Sequence, residues 1–241
     1  MAGLENPDVD VLRGINGLAE GLTGWVGGAV TFMGEFGLPL ALVLLVFVTW
    51  WVVRRRTDAV QAVAGAAWAP LAAALAYLLN SPIREFVGRP RPFVVDADIH
   101  VMLDGKVSYS FVSDHASGAM TIAVALILVH RRIGLIALAL ALLQGFARVL
   151  MGLHYPTDII GGFALGTALA LLLSPLAMAA LTPLVRICSE SRWLGWVAVP
   201  AAGPDAGPRS GPDAGPDAEQ EQPPTGRAAR RRARTRKRMA A

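Results

Sequence analysis

The chain has 241 residues, 54% of them hydrophobic and only 17% charged, with a mean hydropathy of +0.48. Its charges are clustered and separated by long uncharged runs, which argues against an ordinary soluble domain and for a polytopic helical membrane protein, one domain followed by a tail. The net charge of +4 belongs to the tail: from Arg227 onward there are eight basic residues and no acid, which leaves 14 basic against 18 acidic residues in the rest. The single cysteine, Cys188, excludes an intrachain disulfide and any cysteine-based metal cage.

The first thirteen residues carry Glu5, Asp8, Asp10 and Arg13. They do not form a basic stretch before an apolar one, so no cleavable signal peptide is expected and insertion falls to the internal spans. Residues 11–36 contain Ile15, Leu18, Leu22, Trp25, Val26, Val30, Phe32 and Met33, interrupted by Glu20 and several glycines. This segment reads as the first of about six spans, with an amphipathic interfacial helix as the alternative. The second run, residues 37–53, ends at Trp50-Trp51 and then Arg54-Arg55-Arg56, the signature of a membrane exit. The third, residues 59–79, is alanine-rich and contains Pro70, a kink that neighbouring helices can satisfy.

A polar loop is expected over residues 80–110. The fourth run covers residues 111–129 and ends at His130-Arg131-Arg132; the fifth covers 133–149. The sixth, 157–181, contains Gly161, Gly162 and Gly166, read as close helix packing. The basic clusters at 54–56 and 131–132 and the C-terminus fall on one side, which the positive-inside rule makes cytoplasmic. The loop 80–110 and the turn around His154 then face outward. That loop sets Arg84, Arg89, Arg91 and Lys106 against Glu85, Asp96, Asp98 and Asp104, so its arginines carry no charge excess. Residues 1–200 form the membrane domain. Residues 201–241 form a Gly/Pro/Asp-rich disordered linker and a basic run, whose nearest partner is anionic lipid rather than nucleic acid.

Three clusters at outward ends carry chemistry. The first holds Arg84 and Arg91, the second Ser113-Asp114-His115, the third Arg148 with His154 and Asp158. Snorkelling explains any one of these arginines alone. Three converging guanidiniums are suited to the equatorial oxygens of a transferring phosphoryl group. Arg89, two residues from Arg91, reads as a surface charge. Ser113 suits the N-cap of the fourth span, and free N–H groups at a helix start favour an anion. His115 lies just inside an apolar span, where an ionisable group is costly, and it suits the acid that protonates a leaving oxygen. Pro156 suits a first helical position, which puts Asp158 in the first turn and His154 just before it. A carboxylate that accepts from one imidazole nitrogen leaves the other free to attack phosphorus. With no paired carboxylates and no His-x-x-x-His, neither a catalytic metal nor another cofactor is expected.

These clusters resemble the three-part signature of the type-2 phosphatidic acid phosphatase superfamily. That signature is a basic residue, six residues and Arg-Pro; then Pro-Ser-Gly-His; then Ser-Arg, five residues, His, three residues, Asp. Here the parts are Arg84 with Arg91-Pro92, Val112-Ser113-Asp114-His115, and Ala147-Arg148 with His154 and Asp158, at matching spacings. Four positions depart: Arg84 stands for lysine, Val112 for proline, Asp114 for glycine and Ala147 for serine. Asp114 bears most on function, since a carboxylate beside a phosphate site repels it unless turned away or paired with an arginine. Ser-Asp-His resembles the bacitracin-resistance type of undecaprenyl-diphosphatase, as does the stretch from Leu12 to Ala19. The resemblance covers about residues 12–181.

It implies an all-α polytopic bundle in the plasma membrane with an outward site. His154 would be the nucleophile, Asp158 its orienter and His115 the acid; Arg84, Arg91, Ser113 and Arg148 would be phosphate ligands. The implied substrate is undecaprenyl diphosphate, with phosphatidic acid, phosphatidylglycerophosphate or another lipid phosphate as the alternative. Vanadium haloperoxidases use similar ligands, but those compared are soluble. A scaffold or transporter whose arginines only hold an anion is the non-enzymatic reading.

Overall fold

A computed structural model describes residues 6–103 and 108–199. The linker and basic tail, and Asp104 and Lys106 of the outer loop, lie outside the described residues. The described chain is all-helical: α1 Pro7–Asn16, α2 Gly24–Phe32, α3 Leu38–Val53, α4 Ala59–Val87, α5 Pro92–Val95, α6 Asp114–Val129, α7 Arg131–Leu150, α8 Pro156–Leu172 and α9 Ser174–Glu190.

Residues 11–36 split between the two sequence readings. Asn6 caps α1, its side chain accepting from the Asp8 amide at 3.2 Å. The helix then turns Leu12 and Asn16 inward while Asp10 and Arg13 face out. That is an amphipathic helix, not a span. α2 runs through a π-turn, Met33–Gly37, straight into α3. The two form one continuous helix, Gly24–Val53, so the first segment makes no span of its own. Among the described residues three helices are long and apolar enough to cross a membrane: Gly24–Val53, Ala59–Val95 and Arg131–Leu150. The pair α8 and α9, bent by 52°, makes a fourth if it is one broken span, and α6 is a shorter apolar helix. Leu40, Leu44, Phe47 and Trp51 on α3 are exposed, as expected of a face meeting lipid.

The bundle packs through small residues. Ala69 and Ala72 of α4 meet Ala119, Ala123 and Leu126 of α6 and Ala137 and Ala141 of α7. Without a water-driven hydrophobic effect between helices, such close van der Waals contact is what holds them. At Gly166 of α8 a side chain would strike the Ser117 carbonyl of α6 at 2.4 Å. α8 therefore lies directly on α6, the helix that opens with Ser113-Asp114-His115.

The sequence predicts a loop from residue 80, but α4 continues to Val87. Hydropathy falls at Asn80, but the helix passes through Pro82 and runs on to Gly88, whose left-handed backbone (φ +61°) closes it with its N–H donating to the Arg84 carbonyl at 2.9 Å. Arg84 is thus carried on the last helical turn rather than on a loop.

Candidate active site

Five helix ends place the seven residues. Arg84 comes from the end of α4, and Arg91 precedes the short α5. Ser113 and His115 open α6, Arg148 ends α7, and His154 and Asp158 straddle the start of α8. The turn between α7 and α8 is forced by Gly152 (φ +70°), where a side chain would meet the His100 carbonyl at 2.7 Å. Asn16 of α1 anchors the same turn: its amide donates to the carbonyls of His100 at 2.8 Å and Leu150 at 2.9 Å and accepts from the His100 N–H.

His154 is almost wholly buried. Its Nδ1 lies 2.9 Å from the Ser110 carbonyl oxygen and 3.7 Å from Asp158 Oδ2. The nearer acceptor is therefore a backbone carbonyl that no motif points to. Nδ1 carries the proton toward these two oxygens, and Nε2 faces Arg91 Nη1 at 3.5 Å. Burial pushes the imidazole down to about 4; Asp158 opposes the shift, and the charges of Arg148 and Arg91 assist it. At neutral pH Nε2 is an unprotonated lone pair, with Arg91 Nη1 as a donor at 3.5 Å.

Arg91 is fixed by three acceptors: the Ser108 carbonyl at 2.8 Å, the Leu153 carbonyl at 2.8 Å and the Ser108 hydroxyl at 3.0 Å. The charges of Arg148 and Arg84 both act on it, and Arg148 and His154 both act on His115. The cations thus share one region. Six buried side-chain atoms among the described residues lack a partner, and three belong to the predicted phosphate ligands: Arg84 Nε, Arg148 Nε and Ser113 Oγ. Ser113 occupies the N-cap of α6, yet its hydroxyl makes no capping bond.

Four residues outside the predicted set join the site. Arg89 is no idle surface charge. It donates to Asp158 Oδ1 at 2.8 Å, to the Thr157 hydroxyl at 2.7 Å and to Asp8 Oδ2 at 2.6 Å, and it stacks 3.8 Å over the Tyr155 ring. Asp8 also accepts from the Thr157 backbone N–H at 3.0 Å, so α1 is strapped to the start of α8. Asn80 donates to Asp114 at 2.8 Å and to Ser117 at 2.7 Å. Glu35 accepts from Arg148 at 2.6 Å. Asp114 is paired with Arg84, one of the arrangements that the sequence requires of it. A groove of about 290 Å³, lined by Glu35, Tyr77, Asp114, His115, Gly118 and Gln144, adjoins this cluster.

The sequence pattern of the PAP2 superfamily matches residues 65–182, a stretch that contains all seven predicted residues. Undecaprenyl-diphosphatase BcrC of Bacillus subtilis (strain 168) is 34% identical over 95 residues, 39% of this chain and 49% of that protein. The match therefore spans about half the length of that relative. Bacitracin transport permease protein BcrC of Bacillus licheniformis is 27% identical over 165 residues, 68% of this chain and 77% of that protein. Among solved structures, a transmembrane PAP2-type phosphatidylglycerolphosphate phosphatase from Bacillus subtilis superposes with a TM-score of 0.52 at 23% identity, covering 75% of this chain and 89% of that one. At that identity the likeness shows a shared fold. The matched stretch, the BcrC relatives and the common helical architecture together make this chain a member of the PAP2 superfamily of membrane phosphatases.

Proposed function

We propose that the protein hydrolyses undecaprenyl diphosphate to undecaprenyl phosphate and orthophosphate through a phosphohistidine at His154. The observation that carries this reading is the state of His154: a buried, neutral imidazole whose Nδ1 is held by Ser110 and Asp158 while Nε2 is left beside Arg91. Nε2 attacks the terminal phosphorus. A P–N bond forms, the P–O bond to the leaving phosphate breaks, and His115 in its protonated form supplies the proton to that oxygen. Arg84, Arg91, Arg148 and the Ser113 hydroxyl take up the charge on the equatorial oxygens. Water then attacks the phosphohistidine with His115 as base, giving orthophosphate and restoring the imidazole. Every step uses side chains of this chain.

The Ser-Asp-His form and the BcrC relatives support the diphosphate substrate. The phosphatidylglycerolphosphate phosphatase neighbour supports a second reading, in which the same chemistry acts on a glycerolipid phosphate. The basic clusters at 54–56 and 131–132 support a site on the outer face of the plasma membrane. The decisive experiment measures phosphate release from detergent-solubilised protein and its His154→Ala variant on undecaprenyl diphosphate, phosphatidic acid and phosphatidylglycerophosphate. The highest kcat/KM is expected on the diphosphate, abolished by the substitution. No release from any of the three by the wild type would sink the reading.

A further inference from the structure

Glu35 is the acid that no motif accounts for. It sits on the π-turn Met33–Gly37 in the middle of an otherwise apolar helix. Counting back from Arg54 at a rise of ~1.5 Å per residue places it about 28 Å away, near the far edge of a hydrocarbon core of ~30 Å. That is the level of the active site. Its carboxylate accepts from Arg148 at 2.6 Å, and its backbone is a hydrogen-bonding neighbour of His115. With Asp114 and His115 it lines the groove beside the site. In the same groove Asp114 holds Arg84, steadied by Asn80.

Two of the three arginines proposed to grip phosphate are therefore already gripped by carboxylates of the protein. A carboxylate and a phosphate offer a guanidinium the same fork of oxygens, and neither can use an N–H that the other holds. Three guanidiniums in a half-dry site with no opposing anion would bind orthophosphate, the product, too firmly. π-turns recur at functional sites and give the local backbone an alternative winding, which suits a side chain that must swing away and return.

We propose that Glu35 and Asp114 are internal competitors for phosphate. They hold Arg148 and Arg84 in position, yield them to the substrate, and reclaim them to expel orthophosphate. This rests on the phosphatase reading above and adds a means of product release to it.

The test is inhibition of lipid-diphosphate turnover by inorganic phosphate, using the full-length protein in detergent. In Glu35→Gln and in Asp114→Asn the phosphate Ki should fall about tenfold, the scale of losing a close charge pair, with kcat and KM falling together. A residue that merely braces the fold would raise Ki and KM instead, so a Ki unchanged or raised in Glu35→Gln overturns the proposal. Should the amide variant fail to accumulate, Glu35→Asp reads the same quantity. Withdrawing the carboxylate by one methylene should lower Ki by a smaller factor, and no change would be equally fatal. Wild-type protein that releases no phosphate from any lipid substrate removes the parent reading as well. Normal turnover with unaltered Ki removes this inference alone.

Discussion

The two ends of the bundle use arginine in opposite ways. At the end with the paired tryptophans, Arg54 lies 3.8 Å over the Trp51 ring and Arg56 pairs with Asp58 where both side chains are about half exposed. Arg131 and Arg132 are exposed. Arg56, Arg131 and Arg132 reach for water, as charges at a membrane rim do, while Arg54 is tucked against the rings and donates to the Trp196 carbonyl at 3.3 Å. At the other end Arg91 and Arg148 are 5% and 1% exposed, held by carbonyls or a carboxylate, and Arg148 Nε and Arg84 Nε have no partner. A guanidinium kept dry with unused donors is costly unless something charged is meant to meet it. Sequence alone shows arginines at both ends, and burial alone does not sort them: Arg54 is 9% exposed with its Nε unpartnered, but it faces tryptophan rings and a carbonyl, whereas Arg84, Arg91 and Arg148 act on one another beside two imidazoles.

The sharpest way to break that contrast is at His154, the proposed nucleophile. His154→Ala should lower kcat by ~10⁴ or more while the protein still inserts and stays monodisperse, since residues acting as a catalytic unit fail together. Asp158→Asn should cost less, about 10²-fold, the scale for a group that orients another. The Ser110 carbonyl remains at 2.9 Å to keep the proton on Nδ1. Equal residual rates in single-turnover measurements would mean that Asp158 does more than orient. Next, Arg148→Ala should lower kcat/KM by about 10²–10³, the loss seen when one transition-state donor is removed. Arg56→Ala at the opposite end should leave it within about twofold. If the two substitutions had equal effects, a place among the converging cations would not be the distinguishing property.

The burial of His154 also sets a pH dependence. The folded-state pKa of His154 lies near 4, below the ~6.5 of a free imidazole, so folding favours the neutral ring. That contribution, about 3 kcal/mol at most, is fully present above pH ~6.5 and is lost as pH falls toward 4. Thermal unfolding in detergent should show the wild type losing more stability than His154→Gln between pH 7 and 4.5. A parallel decline would place the titration elsewhere.

The seven predicted residues and the helical class were legible because each leaves a local mark: a charge where an apolar run ends, a proline at a helix start, fixed spacings. What was missed depends on partners distant in sequence. Glu35 did leave a mark, an acid inside an apolar helix, but glycines on either side made the whole segment look ambiguous. The Ser110 carbonyl has no side-chain signature. Asp8 is one acid among several near the N-terminus, and only the docking of α1 brings it to Thr157. The end of α4 was misjudged because hydropathy and helix continuity part company there: residues 80–87 are polar enough to leave the membrane, yet the helix runs on through Pro82 and ends only at Gly88.

Arg89 gives the gentlest test, at the boundary between the two kinds of arginine. It is partly exposed like those at the rim, yet it bridges Asp8 and Asp158. A rim charge with this exposure is worth little. If Arg89 acts by holding Asp158, Arg89→Ala should lower kcat about tenfold and leave KM within about twofold, as expected for a supporting partner. Asp8→Asn should do less, because Arg89 would still reach Asp158 and Thr157. In Asp158→Asn the Arg89→Ala substitution should add almost nothing, since the bond it supports has been weakened already. Additive losses in that double-mutant cycle would instead make Arg89 an independent contributor, through its stacking on Tyr155 or through phosphate itself.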